Sequence, residues 1–153
     1  MKGFAPQLLA TATDPQALTL LLSIPGIGEL TARTLLAEIE TIYRFADPEK
    51  LISYTGLAPR VRQGASMDRR GALTKRGSVW LRTALVESAQ IAVRRSNQFQ
   101  KIFRRLSFCR RRNVGIIATA RRLAEVIWHV WSKDVLYQEP ARPGLSGASC
   151  LPA

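Results

Sequence analysis

The sequence predicts a mainly α-helical fold: a compact multi-helix domain containing a helix-hairpin-helix-like motif, with a basic loop or small β-hairpin between helices. Three observations carry this. Apolar residues recur at helical spacing through most of the chain, as at Leu81, Leu85, Ser88 and Ala92. Asp14-Pro15 and Asp47-Pro48 each place an N-cap residue before a proline, a helix-start signal. One stretch, Gly56 to Arg82, has few apolar positions and carries Gly56, Gly64, Gly71 and Gly77, so it reads as a break between helices. At 153 residues the chain suits one domain with a real core. The expected division is a leader at 1–13, a helical domain at 14–137 and a disordered tail at 138–153, where EPARPGLSGASCLPA is rich in Pro, Gly and Ser.

The first helix runs from Asp14-Pro15 through Leu18, Leu21 and Leu22. Ser23-Ile24-Pro25-Gly26-Ile27-Gly28 breaks it, and Glu29 to Ile39 resumes with Leu30, Leu35, Leu36 and Ile39 as apolar contacts. Helix, PGIG turn, helix with small Ala32 near its start resembles a helix-hairpin-helix motif. There Gly26 and Gly28 would present backbone N–H groups to a DNA phosphate at a helix N-terminus. The other reading is a tight turn between packed helices that touches no ligand, and Glu29 counts against strong phosphate binding.

Asp47-Pro48-Glu49 opens a short helix through Leu51, Ile52 and Tyr54, which Gly56 is placed to end. Phe45, Leu51 and Tyr54 are expected in the core. Ser78 can cap a helix from Val79 to about Arg94, with Trp80 and Arg82 off its apolar face. Asn97 is expected to cap Gln98 to Cys109, with Phe99, Ile102, Phe103 and Leu106 as the apolar stripe and Arg110-Arg111-Arg112 closing it. Gly115 to Trp131 is the most strongly helical segment, with Ile116, Ile117, Ala120, Leu123, Ala124, Ile127, Trp128 and Trp131 on one wide apolar face.

Charge narrows the function. The formal net charge is +12 and the pI near 11.0, which points to nucleic acid or an anionic surface. From Arg60 to Arg112 there are 15 Lys/Arg against 2 Asp/Glu, while the rest of the chain holds 8 against 9. The whole excess therefore sits in one central third. Arg60, Arg62, Arg69, Arg70, Lys75, Arg76 and Arg82 surround the glycines of the Gly56–Gly77 stretch; glycine lets a backbone approach a ligand, and arginine offers forked donors to phosphate. The bland reading of that stretch is a solvated basic loop. Cys109 and Cys150 have neither CxxC spacing nor His partners, so neither a disulfide framework nor a zinc site is expected. No apolar run is long enough to span a bilayer, and a cytoplasmic protein is expected.

Four blocks, IPGIGELTARTLLAEI, RFADPEKLISYTGLAPRVRQ, RRGALTKRGSVWLRTALVESA and ATARRLAEVIWHVW, resemble in that order the C-terminal domain of insertion-sequence-110-type transposases, over roughly Leu20 to Tyr137. The resemblance implies a DNA recombinase domain of a mobile element, in a family some of whose members are guided by a bridge RNA. Complete members carry an N-terminal RuvC-like domain with an acidic metal-binding quartet. A divalent metal is therefore expected only with that domain, no metal site is carried over, and a fragment or truncated copy, inactive alone, is expected. The family serine follows a GLAPRVRQ-like block. Here Gln63 precedes Gly64-Ala65-Ser66, so Gly64 stands in the serine position and Ser66 reaches it only by a local shift.

The expectation is a domain in which Ser66 attacks a DNA phosphate in a complete, homo-oligomeric assembly. Gly26, Gly28, Arg60, Arg62, Arg69, Arg70, Lys75, Arg76, Arg82, Arg110, Arg111 and Arg112 would hold DNA or a guide RNA. The alternatives are a non-catalytic nucleic-acid-binding remnant and a basic protein-assembly domain built on the helices Val79–Arg94 and Gly115–Trp131.

Overall fold

The computed structural model describes residues 14–58, 77–109 and 111–140. They form α1 (Pro15–Leu22), α2 (Glu29–Ile39), a 3-10 turn (Ile42–Arg44), α3 (Pro48–Tyr54), α4 (Val79–Arg95), α5 (Asn97–Cys109) and α6 (Arg112–Lys133), with no strand among the described residues. The mainly α class is found. The expected basic loop or small β-hairpin falls on residues 59–76, outside the described residues, as do the leader 1–13 and residues 141–153.

Local chemistry explains where most helices start. The Asp14 carboxylate accepts from the N–H groups of Gln16 and Ala17 at 3.1 and 3.3 Å, and Pro15 occupies the first helical position, where no N–H is needed. Ser78 Oγ accepts from the Leu81 N–H at 3.3 Å and opens α4. Asp47 behaves differently from Asp14: Pro48 starts α3, but the Asp47 side chain makes no capping bond.

Asn97 is not the cap of α5 but its first residue. Ser96, in extended conformation, separates α4 from α5. The capping acceptor is Glu139, which takes hydrogen bonds from the Gln98 N–H at 3.0 Å and from Ser96 Oγ at 2.8 Å. A long-range carboxylate does there what a local side chain was expected to do. Residues 134–140, after α6, form a strap that Tyr137 also ties down, its N–H donating to Ser23 Oγ and its hydroxyl donating to Gln98 Oε1, each at 3.0 Å.

The longest helix, α6, is the centre of the packing. It lies against α5, α4, α3, α1 and the 3-10 turn, through Ile116, Ala120, Leu123, Ala124, Ile127 and Trp131, all buried. Each fully buried leucine or isoleucine contributes about 1.5–3 kcal/mol relative to exposure. The expected α4 face is also found, with Leu81, Leu85, Ser88, Ala89 and Ala92 buried. Leu30 departs from expectation: it is 76% exposed, while Ala32, Leu35, Leu36 and Ile39 carry α2 into the core.

Candidate nucleic-acid interface

The two turn glycines of the PGIG hairpin have separate surroundings. Gly26 is buried and has φ +94°, a backbone region that side chains rarely adopt. A Cβ there would stand 2.5 Å from the Ser88 carbonyl oxygen and 2.8 Å from Ala92 Cβ, so the hairpin abuts the α4 backbone. Gly28 is exposed, stands at the N-cap position of α2 with no side-chain capping bond, and would meet nothing within 4 Å.

A second glycine pair closes a neck between α3 and α4. Ser78 N–H donates to the Tyr54 carbonyl at 3.1 Å, and Gly56 has φ +71° and Gly77 φ +145°. A Cβ on Gly77 would lie 2.1 Å from Tyr54 O and 2.8 Å from Gly56 N. Only glycine permits that contact. Ser78 Oγ also bonds Glu38 at 2.8 Å, which fastens the neck to α2. The described ends on either side of 59–76 are thus held together at one point. Between those ends lie Arg60, Arg62, Ser66, Arg69, Arg70, Lys75 and Arg76, all outside the described residues, as is Arg110.

Beside the neck is a cleft of about 540 Å³ between α4 and the first turns of α6. Arg82, Thr83, Glu87, Gln90, Arg112 and Asn113 supply its polar groups, and Leu57, Val86, Ile116 and Ile117 its apolar wall. The Nη1 atom of Arg82 is buried and has no hydrogen-bond partner among the described residues. Leaving a buried donor unpaired costs about 1–3 kcal/mol, more for a charged group.

The run that includes Arg111 and Arg112 does not close α5. Arg112 opens α6, and Arg111 is its N-cap residue. Its positive charge therefore adds to the positive end of a 22-residue helix rather than offsetting the negative end of α5. Because α5 ends at Cys109 and α6 begins at Arg112, Arg104 and Arg105 stand toward the same end as Arg111 and Arg112. Among the described residues the ion pairs are Arg33–Glu29 and Arg122–Glu125. Arg94, Arg95, Lys101, Arg104, Arg105, Arg111 and Arg112 are exposed and belong to neither.

The structure therefore brings Arg82 and Arg112 to one cleft, with Arg111 next to Arg112 in the chain, while Gly26 packs against Ser88 and Ala92 of α4, neither of which lines that cleft. Gln90 and Asn113 escaped the sequence reading. Gln90 lies two turns after Arg82 on α4, a spacing that marks it once Arg82 is a candidate, whereas nothing local distinguishes Asn113.

The chain is similar to known proteins over most of its length. The model of the transposase IS116/IS110/IS902 family matches residues 18–104. A probable family 20 transposase of Pseudomonas aeruginosa is 30% identical over 132 residues, 81% of this chain and 37% of that protein. The transposase for insertion sequence element IS1111A of Coxiella burnetii is 29% identical over 120 residues, 76% of this chain and 33% of that one. A pilin gene-inverting protein of Moraxella bovis is 39% identical over 90 residues, 58% of this chain and 28% of that one. The chain spans about a third of the length of these curated relatives.

Proposed function

The chain belongs to the IS116/IS110/IS902 transposase family, and from that premise we propose that it is a DNA-binding and recombination domain. DNA is its partner, held on the neck-side cleft, on the α5–α6 turn, and on the basic segment 59–76. The observation that carries this reading is the segregation of charge. Exposed arginines cluster at the N-terminal end of α6 and belong to neither ion pair found among the described residues, a pattern suited to phosphate oxygens. The pilin gene-inverting relative supports a strand-exchange role rather than mere packaging.

Within a complete assembly, Ser66 is the proposed nucleophile. Its hydroxyl oxygen would attack a DNA phosphate, form a serine–phosphate ester and release a DNA hydroxyl; the arginines of the same segment would stabilise charge on the phosphate. The reverse attack by another DNA hydroxyl would restore the serine and rejoin the strands. A guide RNA and self-association are proposed with the complete protein. A divalent metal ion is proposed with the N-terminal domain of a complete member; among the described residues no three His, Cys, Asp or Glu side chains gather to hold one. A second reading, non-catalytic binding by a remnant, is favoured by one observation: Gly64, not serine, directly follows Gln63.

Two measurements test this. Binding of the chain to a DNA duplex should weaken about 10³–10⁵-fold between 50 and 200 mM salt if 6–10 phosphates are engaged; salt-insensitive binding removes the basic-surface reading. Grafted into a complete relative, the domain should give a covalent protein–DNA adduct that Ser66→Ala abolishes. An adduct that survives Ser66→Ala places the nucleophile elsewhere, and no adduct with Ser66 present favours the remnant. No described helix is long and apolar enough to cross a membrane, and a cytoplasmic location is proposed on the family's chemistry.

A further inference from the structure

The cleft beside the neck does more than add charge to a surface. Arg82 lines this cleft, and the strongest match to a forked cationic donor is an anionic oxygen pair. Arg112 lies on the same cleft, so the chemistry asked for is an anion with several oxygens. The single acid on the wall, Glu87, is exposed and makes no ion pair with either arginine. A bare phosphate would fill only a small part of about 540 Å³. That volume falls in the range of small-molecule sites, roughly 300–1,000 Å³, which combine apolar walls with a few fixed polar groups. Leu57, Val86, Ile116 and Ile117 provide the apolar wall, and the amides of Gln90 and Asn113 provide donors and acceptors on its edge.

We infer that this cleft takes one unpaired nucleotide of a nucleic-acid strand, its phosphate on Arg82 and Arg112 and its base against the apolar wall. A base held in a duplex cannot enter, since it is stacked and paired on both sides. The cleft therefore selects single-stranded or opened nucleic acid, whereas the exposed arginines of α5 accept either form. This rests on the nucleic-acid reading above and narrows it to a substrate state.

The test compares binding of a labelled single-stranded 12-mer with binding of its duplex, for the whole chain and for Arg82→Gln, with the Arg104→Gln, Arg105→Gln double variant as the surface control. Arg82→Gln is expected to weaken the single strand by roughly ten- to a hundred-fold, the scale of one hydrogen-bonded charge, and to weaken the duplex several-fold less. The surface control should weaken both equally. If Arg82→Gln lowers both forms in step, or neither, the cleft inference is overturned while DNA binding stands. If the whole chain binds neither form, the nucleic-acid reading itself falls. Should Arg82→Gln fail to fold, Gln90→Trp plugs the cleft from an exposed position and must reproduce the single-strand loss; unchanged single-strand binding then overturns the inference. A further check is the Arg82 side-chain NMR signal, which should shift with thymidine 5′-monophosphate and not with thymidine.

Discussion

The Pro25–Gly28 hairpin and the Gly56–Gly77 neck use glycine alike, yet their charges are spent differently. Around the hairpin, Arg33 pairs with Glu29 across one helical turn, and Gly26 is pressed into the α4 backbone. Arg44, near the same end of the chain, sits over the rings of Phe45 and Tyr54 at 5.5 and 5.4 Å. Around the neck, Arg82 and Arg112 line one cleft and belong to neither ion pair found among the described residues. A glycine-rich turn thus marks packing in one place and access in the other. What separates the two is whether the neighbouring cations already have partners.

The largest effect should come from Gly26→Ala. Positive φ together with a 2.5 Å clash against backbone is expected to cost about 2–5 kcal/mol, read from urea unfolding, with DNA affinity of the folded fraction unchanged. Lost DNA binding at full stability would break the comparison, because Gly26 would then be a ligand contact. Glu139→Ala comes next: removing the acceptor for Gln98 N–H and Ser96 Oγ should cost about 0.5–2 kcal/mol, seen as a lower unfolding midpoint. It marks an acid whose work is structural, as on the hairpin side.

Gly28→Asp sharpens the comparison with a smaller change. The site is open and exposed, so stability should move by only a few tenths of a kcal/mol. A carboxylate at the α2 N-terminus should nonetheless lower DNA affinity if that hairpin touches phosphate, and leave it unchanged if the hairpin only packs.

The smallest effect concerns the strap. Burial raises the Tyr137 hydroxyl above its ordinary value of 10.0, with Glu139 adding to the rise and Ser96 and Arg122 opposing it. The folded state therefore favours the neutral phenol. Its contribution is complete below pH 10 and drains as pH rises through the elevated value. Tyr137→Phe should flatten that alkaline decline, measured by unfolding between pH 9 and about 11.

Much of this architecture was legible because it is written in local signals. Asp14-Pro15, Ser78 and Gly56 act where a cap or a stop was expected, and the α4 and α6 faces follow helical spacing. What escaped depends on partners distant in sequence. Glu139 replaces Asn97 at the start of α5, Leu30 points outward because α2 turns Ala32 and Leu35 inward, and Arg112 begins a helix instead of trailing one. For the site, the basic excess and Arg82 stood out in the sequence. The cleft did not, since it exists only where α4 meets α6. Ser66 and the six basic residues from Arg60 to Arg76 fall outside the described residues, so they rest on the sequence and the family.

The central claim is that the unpaired cations near the α5–α6 turn meet nucleic-acid phosphates. The most direct measurement is the dependence of duplex binding on salt for the natural chain and for the triple variant Arg104→Gln, Arg105→Gln, Arg111→Gln. If each arginine neutralises one phosphate, the slope of log K against log salt should become shallower by roughly 0.9 for each residue removed, with unfolding stability within about 0.5 kcal/mol of the natural chain. An unchanged slope at unchanged stability would contradict the claim.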